Sequence, residues 1–67
     1  MIRNHLRAAR AAAGLTQADL AAALDVSRQT VISLEQGRYL PSLELALRLA
    51  RRFNQSVEQL FELVSPD

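Results

Sequence analysis

The chain contains no cysteine in 67 residues, so disulfides and thiolate metal sites are excluded. Its single histidine, His5, is too little for a zinc set and reads as a solvated residue near the end of the chain. No metal and no cofactor are expected. Lysine is also missing, because all eight basic residues are arginine. No large excess of one charge exists, since the net charge is only +1. No apolar run approaches the roughly 20 residues needed to cross a bilayer, and no signal peptide is visible, which gives a cytoplasmic reading. The three aromatics, Tyr39, Phe53 and Phe61, are too far apart for a base-stacking platform. A nucleophile–base set, a carboxylate dyad and a phosphate-binding glycine loop are all lacking, which argues against an enzyme.

What is present is apolar: 49% of the residues, enough for a folded domain and too much for a disordered chain. The length predicts a single domain over residues 1–67. A core of this size supplies only about 3–5 kcal/mol, so support from a second copy of the chain is expected. A separate effector domain or small-molecule pocket is not. Charge is distributed unevenly: residues 1–43 carry five arginines against three acids, and residues 44–67 carry three against four. The basic surplus lies in the first part of the chain, and arginine forks onto phosphate and guanine better than lysine does. A genome rich in G and C would produce the same bias.

Both glycines and both prolines punctuate. Gly14 follows Leu6 to Ala13 and suits the left-handed position after a helix. Thr16 caps the next helix, with Asp19 in its first turn and Leu20, Ala21 and Leu24 as its apolar stripe. Asp25-Val26 is a turn. Ser27 caps a third helix running to about Gln36, which Gly37 ends. Pro41 forbids helix immediately before it, and Ser42 caps a fourth helix to about Phe53, with Asn54 as its left-handed exit. Ser56 caps a short fifth helix with Glu58 and Gln59 in its first turn.

The fourth helix places Glu44, Arg48, Arg51 and Arg52 on one narrow face, which reads as solvated or as part of an interface, and apolar residues over the rest. An arc that wide predicts burial on most sides, as the central pillar of the core. Part of its surface, at Leu49, together with Val57, Leu60 and Phe61, is the expected meeting face with a partner chain. The tails, Met1-Ile2-Arg3 and Glu62 to Ser65, are short and partly β-favouring; whether they pair as a two-stranded ribbon is left open by the residues alone.

Two short helices about a turn apart, over about residues 16–36, form a helix-turn-helix pattern, which places the start of its second helix against base edges of double-stranded DNA. On a wheel of about 100° per residue, Val31, Leu34 and Glu35 point one way. Gln29, Ser33 and Gln36 point the other, with Thr30 and Ile32 on the flanks. Gln pairs bidentately with adenine and Arg with guanine, so Arg28, Gln29, Thr30 and Ser33 are the candidate base readers. A solvated amphipathic face would look similar on an isolated helix; the caps, the turn and the preceding helix argue for DNA.

The pattern Leu15-Thr16-Gln17-x-x-Leu20-Ala21, Val26-Ser27-Arg28-Gln29-Thr30-Val31, Leu34-Glu35-x-Gly37-Arg38 and Pro41-Ser42-Leu43 resembles the Xre-type helix-turn-helix family, to which phage repressors and Cro belong. The resemblance covers about residues 4–61. It is strongest to the small stand-alone bacterial repressors of that family. It implies an all-α, five-helix fold with a terminal β-ribbon, and a homodimeric, sequence-specific transcriptional regulator, more a repressor than an activator. It also implies roles. Arg28, Gln29 and Ser33 match base-reading positions. Gln17 matches a residue that bonds a phosphate and braces the next helix. Arg38 and Tyr39, beside Gln36, match a loop gripping the DNA backbone. Arg10 and Glu35 match a structural ion pair. Two alternatives remain at this point: an autoregulating antitoxin, and a protein-interaction module that has lost DNA binding.

Overall fold

The computed structural model describes residues 1–65; Pro66 and Asp67, the end of the predicted domain, lie outside the described residues. In chain order the elements are β1 (Ile2–Asn4), α1 (Leu6–Ala12), α2 (Gln17–Leu24), α3 (Arg28–Glu35), α4 (Leu43–Phe53), α5 (Val57–Leu60) and β2 (Phe61–Leu63). Among the described residues the fold is therefore five helices and a two-stranded antiparallel ribbon.

Short polar side chains start the helices. Thr16, Ser27, Ser42 and Ser56 each accept a hydrogen bond from the backbone N–H three residues on, at Asp19, Thr30, Leu45 and Gln59. This satisfies one of the amides that a helix start leaves unpaired. At α2 and α5 the bond is reciprocated, because Asp19 and Gln59 accept from the backbone N–H of Thr16 and Ser56 at 2.9 and 2.7 Å.

The ends of α1 to α4 share one device. A left-handed residue follows each: Gly14 (φ 72°), Asp25 (φ 57°), Gly37 (φ 74°) and Asn54 (φ 53°). Its N–H bonds the carbonyl three residues back, and the next N–H reaches the carbonyl five back, as in Val26 N–H to Ala21 O at 3.0 Å and Arg38 N–H to Ser33 O at 3.0 Å. These paired bonds close the last turn and reverse the chain. Asp25 is the one that the sequence marks only as a turn; a short polar side chain tolerates this conformation better than most.

A single core joins all five helices: Leu6, Leu20, Leu24, Val31, Leu34, Leu49 and Leu60 are at 2% exposure or less. Leu15, Val26, Phe53, Val57 and Phe61 pack against its edge. The ribbon pairs Ile2 with Leu63, Arg3 with Glu62 and Asn4 with Phe61, and the Val64 N–H continues it onto Met1 O at 2.9 Å. It joins the two ends of the chain and ties them to α1 and α5 through His5 N–H to Leu60 O at 2.8 Å.

Two expectations need correction. Helix α4 is not buried on most sides: Leu45, Ala46, Leu49 and Ala50 are buried, but Leu43 is 73% and Leu47 54% exposed. The other helices are short and cover only one side of it. The expected partner face also changes. Leu49 and Leu60 are both at 0% exposure inside this chain's own core, so neither has surface left for a partner. Val57 and Phe61 are half-buried against that core. Among the described residues, no helix is long and apolar enough to cross a membrane.

Candidate nucleic-acid interface

The turn between α2 and α3 is fixed from both sides. Asp25 and Val26 close α2, and Ser27 opens α3 one residue later, accepting from Thr30 N–H at 3.1 Å. Buried Val31 and Leu34 seat α3 on the core. The wheel therefore leaves a polar ridge facing outward, with Arg28, Gln29 and Gln36 exposed and Ser33 half-buried.

The structure divides the candidate readers between the two flanks of that ridge. Arg28, Ile32 and Gln36 line one flank, a groove of about 790 Å³ shared with Arg7, Thr16 and Gln17. Gln29, Thr30 and Ser33 line the other, a shallow cleft of about 180 Å³ closed by Tyr39. Gln29 Nε2 reaches Ser33 Oγ at 3.5 Å, a long contact that leaves the amide easy to recruit. Thr30 differs: its hydroxyl lies 2.8 Å from Ser27 Oγ and belongs to the helix cap. Arg38 and Tyr39 are exposed in the loop after Gly37.

Beneath the ridge lies a polar brace. Arg10 on α1 donates from Nε to Glu35 Oε2 at 2.6 Å and from Nη2 to Glu35 Oε1 at 3.2 Å. Its Nη1 donates to Leu15 O at 2.9 Å, just ahead of α2. Gln17 Nε2 donates to Glu35 Oε1 at 3.2 Å. Three helices thus meet on one carboxylate. The Arg10 and Glu35 side chains are 15% and 6% exposed, so the pair is largely desolvated. Burial is the strongest influence on the Glu35 carboxyl and works to raise its pKa. The hydrogen bonds from Arg10 and Gln17, with the charges of Arg10 and Arg7, outweigh it and leave the carboxyl below its ordinary value. Its hydrogen bond to Glu35 holds the Arg10 guanidinium above its ordinary value, against the opposing effect of burial. Gln17, a candidate phosphate contact, is partly engaged in this brace and retains one amide hydrogen.

Two positioning residues escaped the sequence reading. Asn4 donates from Nδ2 to Leu34 O at 2.8 Å and accepts from Leu6 N–H on Oδ1 at 3.2 Å. One side chain thereby starts α1, whose cap residue His5 makes no side-chain capping bond, and pins the end of α3. Its polarity in a ribbon strand and its place two residues before a helix were the only signals. Arg48 Nη2 donates to Leu24 O at 2.9 Å and so holds the end of α2 to α4.

Residues 6–60 match the helix-turn-helix family model. An uncharacterised helix-turn-helix transcriptional regulator of Methanocaldococcus jannaschii is 48% identical over 60 residues, covering 90% of this chain and 91% of the relative. The uncharacterised regulator YgzD of Bacillus subtilis is 39% identical over 62 residues, covering 92% and 94%. The crystal structure of the clp gene regulator ClgR from Corynebacterium glutamicum superposes with a TM-score of 0.71 at 38% identity. That match spans 78% of this chain and 55% of ClgR. With its capped α2, left-handed turn and polar α3 ridge, the chain belongs to the Xre-like helix-turn-helix family, the non-enzymatic DNA-binding domains of transcriptional regulators.

Proposed function

We propose that this regulator is a cytoplasmic repressor that occupies an inverted-repeat operator as a homodimer. The observation that carries the reading is the α3 ridge: an outward row of polar side chains on a helix whose start, end and underside are each fixed. Preorganised side chains lose little entropy on meeting a base edge. Arg28 pairs with guanine, and Gln29 with adenine, in the major groove. Ser33 adds a short-range donor and acceptor beside Gln29, while Thr30 contributes less because its hydroxyl serves the cap. Gln17, Gln36, Arg38 and Tyr39 take the backbone, which sets register without reading sequence. Occupancy of a promoter excludes polymerase, which makes repression the simplest output.

Two-fold symmetry places the half-sites about one helical turn, roughly 34 Å, apart. Specific binding falls around 10⁻⁸–10⁻¹¹ M at physiological salt and weakens steeply as salt rises. Selection from random duplexes with the purified protein tests all of this at once. The expected result is a palindromic consensus with that spacing. No enrichment, and no retention of any duplex at low salt, would overturn the reading in favour of an interaction module.

A further inference from the structure

The largest exposed apolar feature near the reading ridge is on α4, and its chemistry is self-complementary. Leu43 and Leu47, 73% and 54% exposed, lie one turn apart on one face of the helix. Leu40, 65% exposed, precedes them in the loop. Isolated surface leucines are ordinary, but three in a row beside a functional loop on so small a chain mark a contact site. At about 100° per residue, the same outward face carries Glu44 and Arg51. Among the described residues, neither of these side chains has an ion-pair partner.

We propose that this face, and not Leu49 and Leu60, is where two copies of the chain meet, with α4 packed antiparallel on its symmetry mate about an axis beside Leu47. This rests on the homodimer reading above and specifies its surface. Charge register favours a second copy over another protein. A two-fold axis sets residue i against j and j against i. With the axis between Leu47 and Arg48, Glu44 of each copy faces Arg51 of the other, Leu47 lies between the two pairs and Leu43 just beyond them. The same helix carries the acid of one pair and the base of the other, so a different partner would have to reproduce the same pattern. The face is also continuous with the Arg38-Tyr39 loop, which adjoins the reading ridge through Tyr39. A standard interface takes about 800 Å² from each partner. The leucine strip is smaller than that, so the dimer is weak in isolation and strengthens on the operator.

The test is sedimentation of the full chain across concentration, with and without operator duplex, for the wild type, Leu47→Glu, Arg51→Glu and the double variant Glu44→Arg/Arg51→Glu. Circular dichroism checks folding; these side chains are exposed and their replacement leaves the core intact. The expected result is a concentration-dependent wild-type dimer. Leu47→Glu becomes monomeric on free protein, binds the operator at least tenfold more weakly and still prefers the same half-site. Arg51→Glu weakens dimerisation, and the charge-swapped double variant restores it. A dimer that survives Leu47→Glu unchanged would overturn this surface and leave the homodimer reading standing. A wild-type protein that stays monomeric on and off the operator would overturn both.

Discussion

Helices α3 and α4 have similar inner faces and opposite outer ones. Each is seated by buried aliphatic residues, Val31 and Leu34 on α3 and Leu45 and Leu49 on α4, and each begins at a serine cap. Outward, α3 shows arginine, glutamine and serine, while α4 shows Leu43 and Leu47 among charges. An outer face of hydrogen-bonding groups that vary in donor and acceptor pattern suits base edges. An outer face of leucine flanked by one acid and one base suits a protein surface. The underside differs as well. Helix α3 is held at its far end by an ion pair and two amides, Gln17 and Asn4, whereas α4 contributes Arg48 to hold its neighbour. The helix that must be positioned most accurately carries the most directional bonds.

The largest effect that separates the two helices is expected from Glu35→Ala. It strands the Arg10 guanidinium in a largely desolvated site and costs about 3 kcal/mol. For a domain this small, that lowers the thermal midpoint by about 15 °C, read by circular dichroism. Truncation of an outer leucine on α4, Leu43→Ser, should by contrast change monomer stability by less than about 0.5 kcal/mol. An equal loss from both would erase the contrast.

Acid sharpens the same comparison. The Glu35 carboxyl lies below its ordinary value in the folded chain, so its stabilising contribution is complete above about pH 5. That contribution is lost as the pH falls through the lowered value, because protonation then removes the charge that Arg10 pairs. Melting of the wild type should therefore fall more steeply on acidification than melting of Glu35→Gln. Parallel curves would mean that the pair adds nothing to stability.

The caps should not distinguish the helices. Ser27→Ala and Ser42→Ala each remove one bond to the third amide of their helix, and each should cost about 1 kcal/mol in chemical denaturation. A much larger loss at Ser27 would show that its contact with Thr30 Oγ contributes to α3 beyond capping.

The helix ends were legible because they depend on local chemistry. Thr16, Ser27, Ser42 and Ser56 act within three residues of themselves, and Gly14, Gly37 and Asn54 act on the turn just behind them. The inner face of α3 was legible for the same reason: a wheel of eight residues has one clear apolar side. Helix α4 was misread because its pattern lacks that asymmetry. Seven apolar residues and four charged ones show which side is wet but not how much of the apolar arc the rest of the chain can cover. That depends on partners brought close only by folding. The exposed Leu47 and the buried Leu49 are chemically identical, two positions apart, and separated by tertiary packing alone. Asn4 was missed on similar grounds, since its bond to Leu34 spans thirty residues with no periodic signal. The Arg10–Glu35 contact spans twenty-five, and only the family resemblance suggested it.

The central claim is that the outer ridge of α3 reads sequence while the flanking groups only hold the backbone. The most direct measurement is to repeat the random-duplex selection with Gln29→Ala and with Arg38→Ala. Gln29→Ala should lose about 1–3 kcal/mol of binding and relax the consensus at one base pair in each half-site. Arg38→Ala should keep the wild-type consensus, weaken every duplex alike and flatten the salt slope by about one. An unchanged consensus with Gln29→Ala, or a changed one with Arg38→Ala, would contradict the claim.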